Sequence, residues 1–162
     1  MVIDMGNGII IGAYALSLIM AAGPVCSVIE DSPHYAEQNG IVLRESDEEL
    51  LQKIAGSEAG NQGPDGMWLV MCVVMNRVES EDFPDTISEV INQKGQFTSV
   101  QNGSFDKVSE EPEGCTEALD RIKAADIAPK IIGFEGKDSD VLDRYFDYVF
   151  TFRDHKFYVK KE

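Results

Sequence analysis

The feature that most constrains this chain is an uninterrupted apolar run near its middle, Met67–Met75. A helix formed by this run is apolar on every face, whereas a helix at the surface of a globular protein keeps a polar face. The run therefore predicts a central buried helix over 66–78, capped by Asp65, with Asn76 and Arg77 marking its exit toward solvent. The rest of the domain must pack around this helix.

Periodicity and turn residues predict the elements around the central helix. A capping-box sequence that starts at Ser46 predicts a helix to about Glu58. The remaining predicted elements are helices over 86–92, 116–125 and 138–148, an extended or loop segment over 95–100, a strand over 130–134 and a C-terminal β-hairpin over 149–159. The predicted class is α+β, mostly helical with a small antiparallel sheet or C-terminal hairpin.

Charge and cysteine spacing exclude several kinds of partner and cofactor. The 162 residues carry 14 basic and 29 acidic side chains, a net charge of −15, so a nucleic-acid-binding surface is not expected. Cys26, Cys72 and Cys115 form no C-x-x-C motif, and the chain has only two histidines, so neither a metal site nor another cofactor is predicted. Whether Cys72 and Cys115 pair stays open.

The N-terminal stretch predicts export. No charged residue occurs over 5–29, and the segment 9–22 is apolar enough for the core of a signal peptide, although no basic residue precedes it. We therefore expect a signal peptide or membrane anchor over 1–27, a linker over 28–45 and the folded domain over 46–162. The alternative is that the apolar segment forms a buried helix of the domain.

Glu58 stands out because of its place on the first predicted helix. It follows Ile54 by four positions and Leu51 by seven, so it projects from the apolar face. A carboxylate there is costly in free energy unless the protein uses it. In one interpretation, Glu58 closes the helix and snorkels toward solvent, or caps a neighbouring loop. In the other, it is a general acid, and partial desolvation favours its protonated form. The glycine-rich loop that follows suits a groove for a sugar chain, and hence glycosidic bond cleavage.

Four blocks of sequence, followed by a closing segment, carry a resemblance to a known family. The blocks are 58–67, 73–78, 83–87 and 93–104, and the closing segment Asp154–Tyr158 is similar to an H-x-F-Y signature. Over about Ser46–Tyr158 the chain resembles the SleB-type cell wall hydrolases, which cleave the peptidoglycan of spore cortex and vegetative walls. The resemblance implies a lysozyme-like α+β domain that cleaves MurNAc–GlcNAc β-1,4 bonds, in several members as a lytic transglycosylase, with Glu58 as the catalytic acid.

The same resemblance suggests the residues that contact the substrate. The amides of Asn61 and Gln96 would bridge N-acetyl and hydroxyl groups, and Phe97 would stack on a sugar ring unless it packs in the core. His155 and Tyr158 belong to the terminal signature, as substrate contacts or as residues that lock the hairpin onto the helices. The expected protein is a monomeric, secreted or wall-associated enzyme that binds peptidoglycan glycan strands and needs no cofactor, with a membrane anchor as the other N-terminal option.

Alternative functions remain open at this stage. Many relatives have an acidic residue where this chain has Gln62, so a hydrolytic, muramidase-type reaction would need Asp65 or Asp106 as the second carboxylate. Their simpler roles are a helix cap for Asp65 and a surface position for Asp106. The chain could also be a non-catalytic glycan-binding module of the same fold, or an intracellular acidic adaptor.

Overall fold

A computed structural model describes residues 36–37, 40–109 and 112–162 of the chain. The helices are α1 Glu45–Ala59, α2 Gly63–Val78, α3 Ile87–Asn92, α4 Thr98–Asn102 and α5 Cys115–Lys123, with single 3-10 turns at Gly60–Gln62, Phe105–Lys107 and Leu142–Arg144. The strands are β1 Ala36–Glu37, β2 Gly40–Ile41, β3 Ile131–Gly136, β4 Phe146–Phe152 and β5 His155–Lys160. The predicted signal peptide or anchor over 1–27 lies outside the described residues.

The central buried helix predicted from the apolar run is confirmed as α2. Eleven of its sixteen residues are buried, and α1, α3, α5 and β3 all pack against it. The helix begins at Gly63 rather than 66, with Pro64 in its first turn. The prediction that Asp65 caps it is wrong, because Asp65 lies inside the first turn, where its carboxylate pairs with Arg121 at 3.0 Å instead.

The prediction that Asn76 and Arg77 lead into solvent is also wrong. Arg77 is only 6% exposed, and its Nε donates to the carbonyl oxygen of Ile132 at 2.7 Å. Asn76 Nδ2 donates to the carbonyls of Ala128 at 2.8 Å and Ile131 at 2.9 Å. These carbonyls lie at and just before the start of β3, where buried backbone acceptors need donors. Burial lowers the pKa of Arg77 to about 10. The two polar side chains therefore clamp the C-terminal end of α2 to the start of the sheet.

The sheet is antiparallel with the order β3-β5-β4, and its two faces have different partners. Side chains alternate along β5, so Phe157 points into the helical core while Tyr158 points to the other face. Phe150 of β4 stacks on Phe157 with ring centroids 5.1 Å apart. The predicted hairpin is confirmed, with both strands longer than predicted, and the α+β class with a mostly helical, lysozyme-like body is confirmed with it.

The predicted helix over 138–148 is wrong, because a side chain satisfies the backbone of this segment. Glu135 Oε2 accepts the N–H groups of Val141 at 3.1 Å and Leu142 at 3.2 Å, and the hydroxyl of Ser139 at 2.6 Å. These hydrogen bonds hold the pKa of Glu135 below its ordinary value despite an opposing effect of burial. The segment forms only one 3-10 turn, and β4 starts at Phe146.

Three smaller corrections concern the segments around the helices. Helix α1 starts at Glu45 after Arg44, with no side-chain cap, so Ser46 does not form the predicted capping box. Ile41 and Leu43, inside the predicted linker 28–45, are buried in the core. The segment expected to be extended over 95–100 instead enters α4 at Thr98.

The two cysteines that the structure describes are free thiols. Burial raises the pKa of Cys72 to about 12 and that of Cys115 to about 11, so both behave as buried apolar groups. Over the described ranges, no helix combines the length and the apolar character needed to cross a bilayer.

The clamp at the end of α2 gives a stability prediction. Asn76→Ala removes both side-chain hydrogen bonds to the start of the sheet and leaves two carbonyls short of a donor, so we expect a loss of about 1–3 kcal/mol in the free energy of unfolding. Asn92→Ala is the matched control, because Asn92 is exposed and bonds only within α3; it should change stability by about 0.5 kcal/mol or less. Urea unfolding measures both, and equal losses would contradict the clamp.

Candidate active site

Glu58 lies in the last turn of α1, half-buried, and only one of its carboxylate oxygens is held. Oε1 accepts the backbone N–H of Ser99 at 3.0 Å and the hydroxyl of Ser99 at 2.5 Å. The Ser57 hydroxyl donates in turn to Ser99 Oγ at 2.9 Å. Among the described residues no hydrogen bond reaches Oε2. The carboxyl is therefore fixed in direction while its second oxygen stays available to another molecule.

Ser99 is a site residue that the sequence analysis did not select. It sits in the first turn of α4, where a helix leaves backbone N–H groups without an internal acceptor, and the Glu58 carboxylate supplies that acceptor. Ser99 is 3% exposed, so its hydroxyl has no competition from bulk water. Its place inside the family-like block 93–104 is the one signal that could have pointed to it.

Open space borders the end of α1. A Cβ atom built on Gly60 would meet nothing within 4 Å, and the same holds at Gly95. Asn61, on the short connection to α2, and Gln96, on the connection that leads into α4, are both exposed. Both amides predicted to contact the substrate are thus accessible, each within three residues of Glu58 or Ser99.

Gln62 brings His155 into the site. Gln62 is 2% exposed, and its Nε2 lies 3.0 Å from Nδ1 and 3.3 Å from Nε2 of His155, while its Oε1 is buried without a partner among the described residues. This contact fixes the position of the His155 ring against the Gln62 amide. Burial lowers the pKa of His155, and the negative charges of Glu58 and Asp154 oppose this shift. Near neutral pH the ring next to Glu58 is therefore uncharged.

Phe97 does not have the predicted role in sugar stacking. It is 2% exposed and begins an aromatic row in which its ring lies 6.1 Å from that of half-buried Phe134, whose ring lies 4.9 Å from that of His155. Arg77 lies near the C-terminal end of α2, and its guanidinium carbon lies 5.3 Å from the centroid of the Phe97 ring. The structure therefore supports core packing, the alternative role for Phe97. Through Phe134, the Phe97 ring packs toward His155.

Tyr158 is not a substrate contact either. Its side chain has no exposed surface and points to the sheet face opposite the helical core. The hydroxyl lies 2.6 Å from Glu135 Oε1 and 2.8 Å from Asp143 Oδ1, so Tyr158 fixes the β3–β4 connection onto the sheet. Of the two signature residues, His155 lies in the site and Tyr158 locks the sheet.

The proposed second carboxylates are not joined to this site. Asp65 is exposed and paired with Arg121, and Asp106 is exposed in the 3-10 turn 105–107.

Among the described residues, no group of three or more His, Cys, Asp or Glu side chains could hold a metal ion. A cavity of about 1020 Å³ lies between the end of α2 and the ends of β3 and β5, and Glu58 is not among the residues that line it.

Comparisons with known proteins decide the family. Residues 61–158, more than half of the chain, match the family model described as Cell Wall Hydrolase. The chain belongs to the cell wall hydrolase family. As a member of this family, it is an enzyme that acts on peptidoglycan. The matched region starts three residues after Glu58, so the family match does not include Glu58.

Two solved structures share the fold of this cell wall hydrolase. One is the catalytic domain of the germination-specific lytic transglycosylase SleB from Bacillus anthracis, with a TM-score of 0.61 and 22% identity over 72% of this chain and 96% of that one. The other is the catalytic domain of the Bacillus cereus SleB protein, with a TM-score of 0.60 and 21% identity over 76% and 98%. Among curated protein sequences, nothing matches this chain significantly.

The burial of His155 gives a titration prediction. Its folded-state pKa lies below the ordinary 6.5, so the unfolded chain binds the proton more readily. The stability contributed by neutral His155 is complete above about pH 6.5 and is lost as the pH falls through the lowered pKa. NMR titration of the ring should give a midpoint below 6.5, and His155→Gln should flatten the fall in unfolding free energy in that window. A midpoint above 6.5 would contradict the burial argument.

The Ser99 hydrogen bonds give a kinetic prediction. Ser99→Ala removes a hydrogen bond to a charged acceptor, an interaction of about 1.5–3 kcal/mol, so we expect kcat on purified peptidoglycan to fall about tenfold or more with a smaller change in KM. Ser88→Ala, at an exposed position on α3, is the matched control and should leave kcat unchanged. If Ser99→Ala instead raised KM alone, Ser99 would act in binding rather than in holding the acid.

Proposed function

We propose that this enzyme cleaves the MurNAc–GlcNAc β-1,4 bonds of peptidoglycan as a lytic transglycosylase, with Glu58 as its single catalytic acid. The observation that carries the proposal is the asymmetric anchoring of Glu58, whose Oε1 is held by Ser99 while Oε2 has no hydrogen bond among the described residues. A positioned acid must reach the leaving oxygen with a free oxygen atom of its own. The Bacillus anthracis SleB protein, whose catalytic domain shares this fold, is a lytic transglycosylase, which supports the same reaction.

In the proposed reaction, protonated Glu58 donates its proton to the glycosidic oxygen as the bond from that oxygen to C1 of MurNAc breaks. The oxocarbenium-like centre at C1 is attacked by the 6-hydroxyl of the same sugar, and the proton of that hydroxyl returns to the Glu58 carboxylate. The products are a 1,6-anhydro-MurNAc end and a free GlcNAc 4-hydroxyl. One carboxyl group serves both steps, and no water molecule needs activation.

The neighbours of Glu58 favour this single-acid chemistry. Ordinary retaining and inverting glycosidases need a second carboxylate about 5–9.5 Å from the first. The buried side chain next to His155 is the neutral amide of Gln62, and Asp65 is engaged by Arg121. Asp154, adjacent to His155, is exposed and paired with Lys137 at 2.7 Å. The hydrolytic alternative therefore has no supporting contact among the described residues.

Three exposed or half-buried groups are proposed to bind the glycan. The amides of Asn61 and Gln96 flank the site and suit N-acetyl and hydroxyl groups. The half-buried imidazole of His155, held by Gln62, supplies a third polar group. Because peptidoglycan lies outside the cytoplasmic membrane, we propose an extracytoplasmic, wall-associated enzyme, delivered by segment 1–27 as a signal peptide or anchor and active as a monomer.

The proposal is tested by removing the titrating proton of Glu58. Glu58→Gln keeps the shape of the side chain and one carbonyl oxygen to accept from Ser99, so folding should persist while muropeptide release from purified peptidoglycan falls about a hundredfold or more. Glu117→Gln, at an exposed position on α5, makes the same chemical change and should leave the rate unaltered. Thermal unfolding of each variant checks that the fold is intact.

Retention of wild-type activity by a folded Glu58→Gln variant would remove Glu58 as the acid and the proposal with it. Equal losses in both variants would show that the effect follows from the charge change rather than from the site.

A further inference from the structure

A second surface with carbohydrate-binding chemistry lies on the outer face of the sheet, opposite the helical core. Here a groove of about 460 Å³ is lined by Asp143, Phe146, Asp147, Tyr148, Thr151 and Lys156. Its volume lies within the range of small-molecule sites. The strand register puts Tyr148 opposite Tyr158 and Thr151 opposite Lys156, on the face that Phe157 does not share.

Tyr148 is exposed yet fixed in place. The residue is 53% exposed, and its ring packs edge-on against buried Tyr158 with an interplanar angle of 74° and centroids 6.1 Å apart. Its hydroxyl lies 3.1 Å from Thr151 Oγ1. An exposed tyrosine held at both ends presents a rigid apolar surface without the entropy cost of ordering a free side chain.

The polar groups around Tyr148 indicate the chemistry of the ligand. Asp143 and Asp147 offer carboxylate acceptors, Thr151 a hydroxyl, and Lys156 an ammonium that donates to the Ser139 carbonyl at 2.5 Å. Acceptors beside one exposed ring suit a ligand with many hydroxyl donors and apolar ring faces, which describes a sugar. A polyanion such as a nucleic acid would meet two carboxylates here in a chain of net charge −15.

We propose that this groove is an accessory subsite for N-acetylated glycan, with Tyr148 as the stacking platform. The proposal rests on the proposed function, because that function supplies a polymeric glycan as substrate. Strand β4 separates the two places: it ends at Phe152, which pairs with His155, and Tyr148 lies four residues earlier, about 13 Å along the strand and on the opposite face of the sheet. Because β4 is an edge of this sheet, a long glycan that passes round this edge would contact both places, and two weak contacts would hold it more tightly than either alone.

Binding is measured separately from cleavage. The full chain carrying Glu58→Gln is sedimented with insoluble purified peptidoglycan and is titrated with a soluble chitooligosaccharide followed by NMR. Tyr148→Ala should weaken binding to both probes about fivefold or more, the loss typical of a central contact residue. Tyr145→Ala is the matched control, because Tyr145 is 65% exposed, lies three residues away and does not line the groove.

Two further variants keep the test informative if Tyr148→Ala unfolds. Tyr148→Leu keeps apolar volume against Tyr158 but lacks a flat ring, and it should bind as weakly as Tyr148→Ala; Tyr148→Phe keeps the ring and should bind nearly as the parent does. Wild-type-like binding by a folded Tyr148→Leu, equal loss in Tyr145→Ala, or no binding of either probe by the parent would overturn the subsite. Full cleavage activity of Glu58→Gln would overturn the proposed function without touching this result.

Discussion

The need to cover α2 on every side governs the structure. A helix whose surface is apolar all round must exclude water along its whole length, so α1, α3, α5 and the sheet all pack against it. Both of its ends then face polar groups that need partners. At the C-terminal end, Asn76 and Arg77 meet carbonyls around the start of β3. At the N-terminal end, the turn from α1 carries Glu58 and Gln62 into contact with distant segments.

The site is built from contacts between residues far apart in sequence. Ser99 lies 41 positions after Glu58, and His155 lies 93 positions after Gln62. Each pair joins a segment next to the α1–α2 turn to a different part of the fold, α4 in one case and β5 in the other. The Glu58 carboxyl is therefore held by contacts from distant parts of the chain, and the aromatic row from Phe97 to His155 packs between the two contacting segments.

Patterns in the local sequence predicted the elements whose formation depends on neighbouring residues. The apolar run identified α2, alternation identified the C-terminal hairpin, and the place of Glu58 on an apolar helix face singled it out. Local pattern alone could not select Ser99, because its contact depends on a first-turn N–H meeting a carboxylate from another helix; only its place in the family-like block 93–104 pointed to it. Arg77 was misjudged for a similar reason: a charged residue after an apolar run normally reaches solvent, and only the sheet carbonyls explain its burial.

Tyr158 and segment 138–148 show a related limit. Alternation along β5 places His155 and Phe157 toward the helices and Tyr158 on the other face, but no local signal told which segment would cover Tyr158. Glu135 bonds the β3–β4 connection in place, which suppresses the predicted helix and buries Tyr158 beneath it. Strand alternation therefore accounts for the different positions of His155 and Tyr158, and the covering connection accounts for the burial of Tyr158.

The central claim is that Glu58 works as the single acid, without an activated water. Digestion of purified peptidoglycan in ¹⁸O-labelled water, followed by mass spectrometry of the released muropeptides, tests it most directly. The account predicts products that end in 1,6-anhydro-MurNAc, one water lighter than the hydrolytic product and free of ¹⁸O at C1. Reducing ends that carry ¹⁸O would contradict it and would require a second group that activates water.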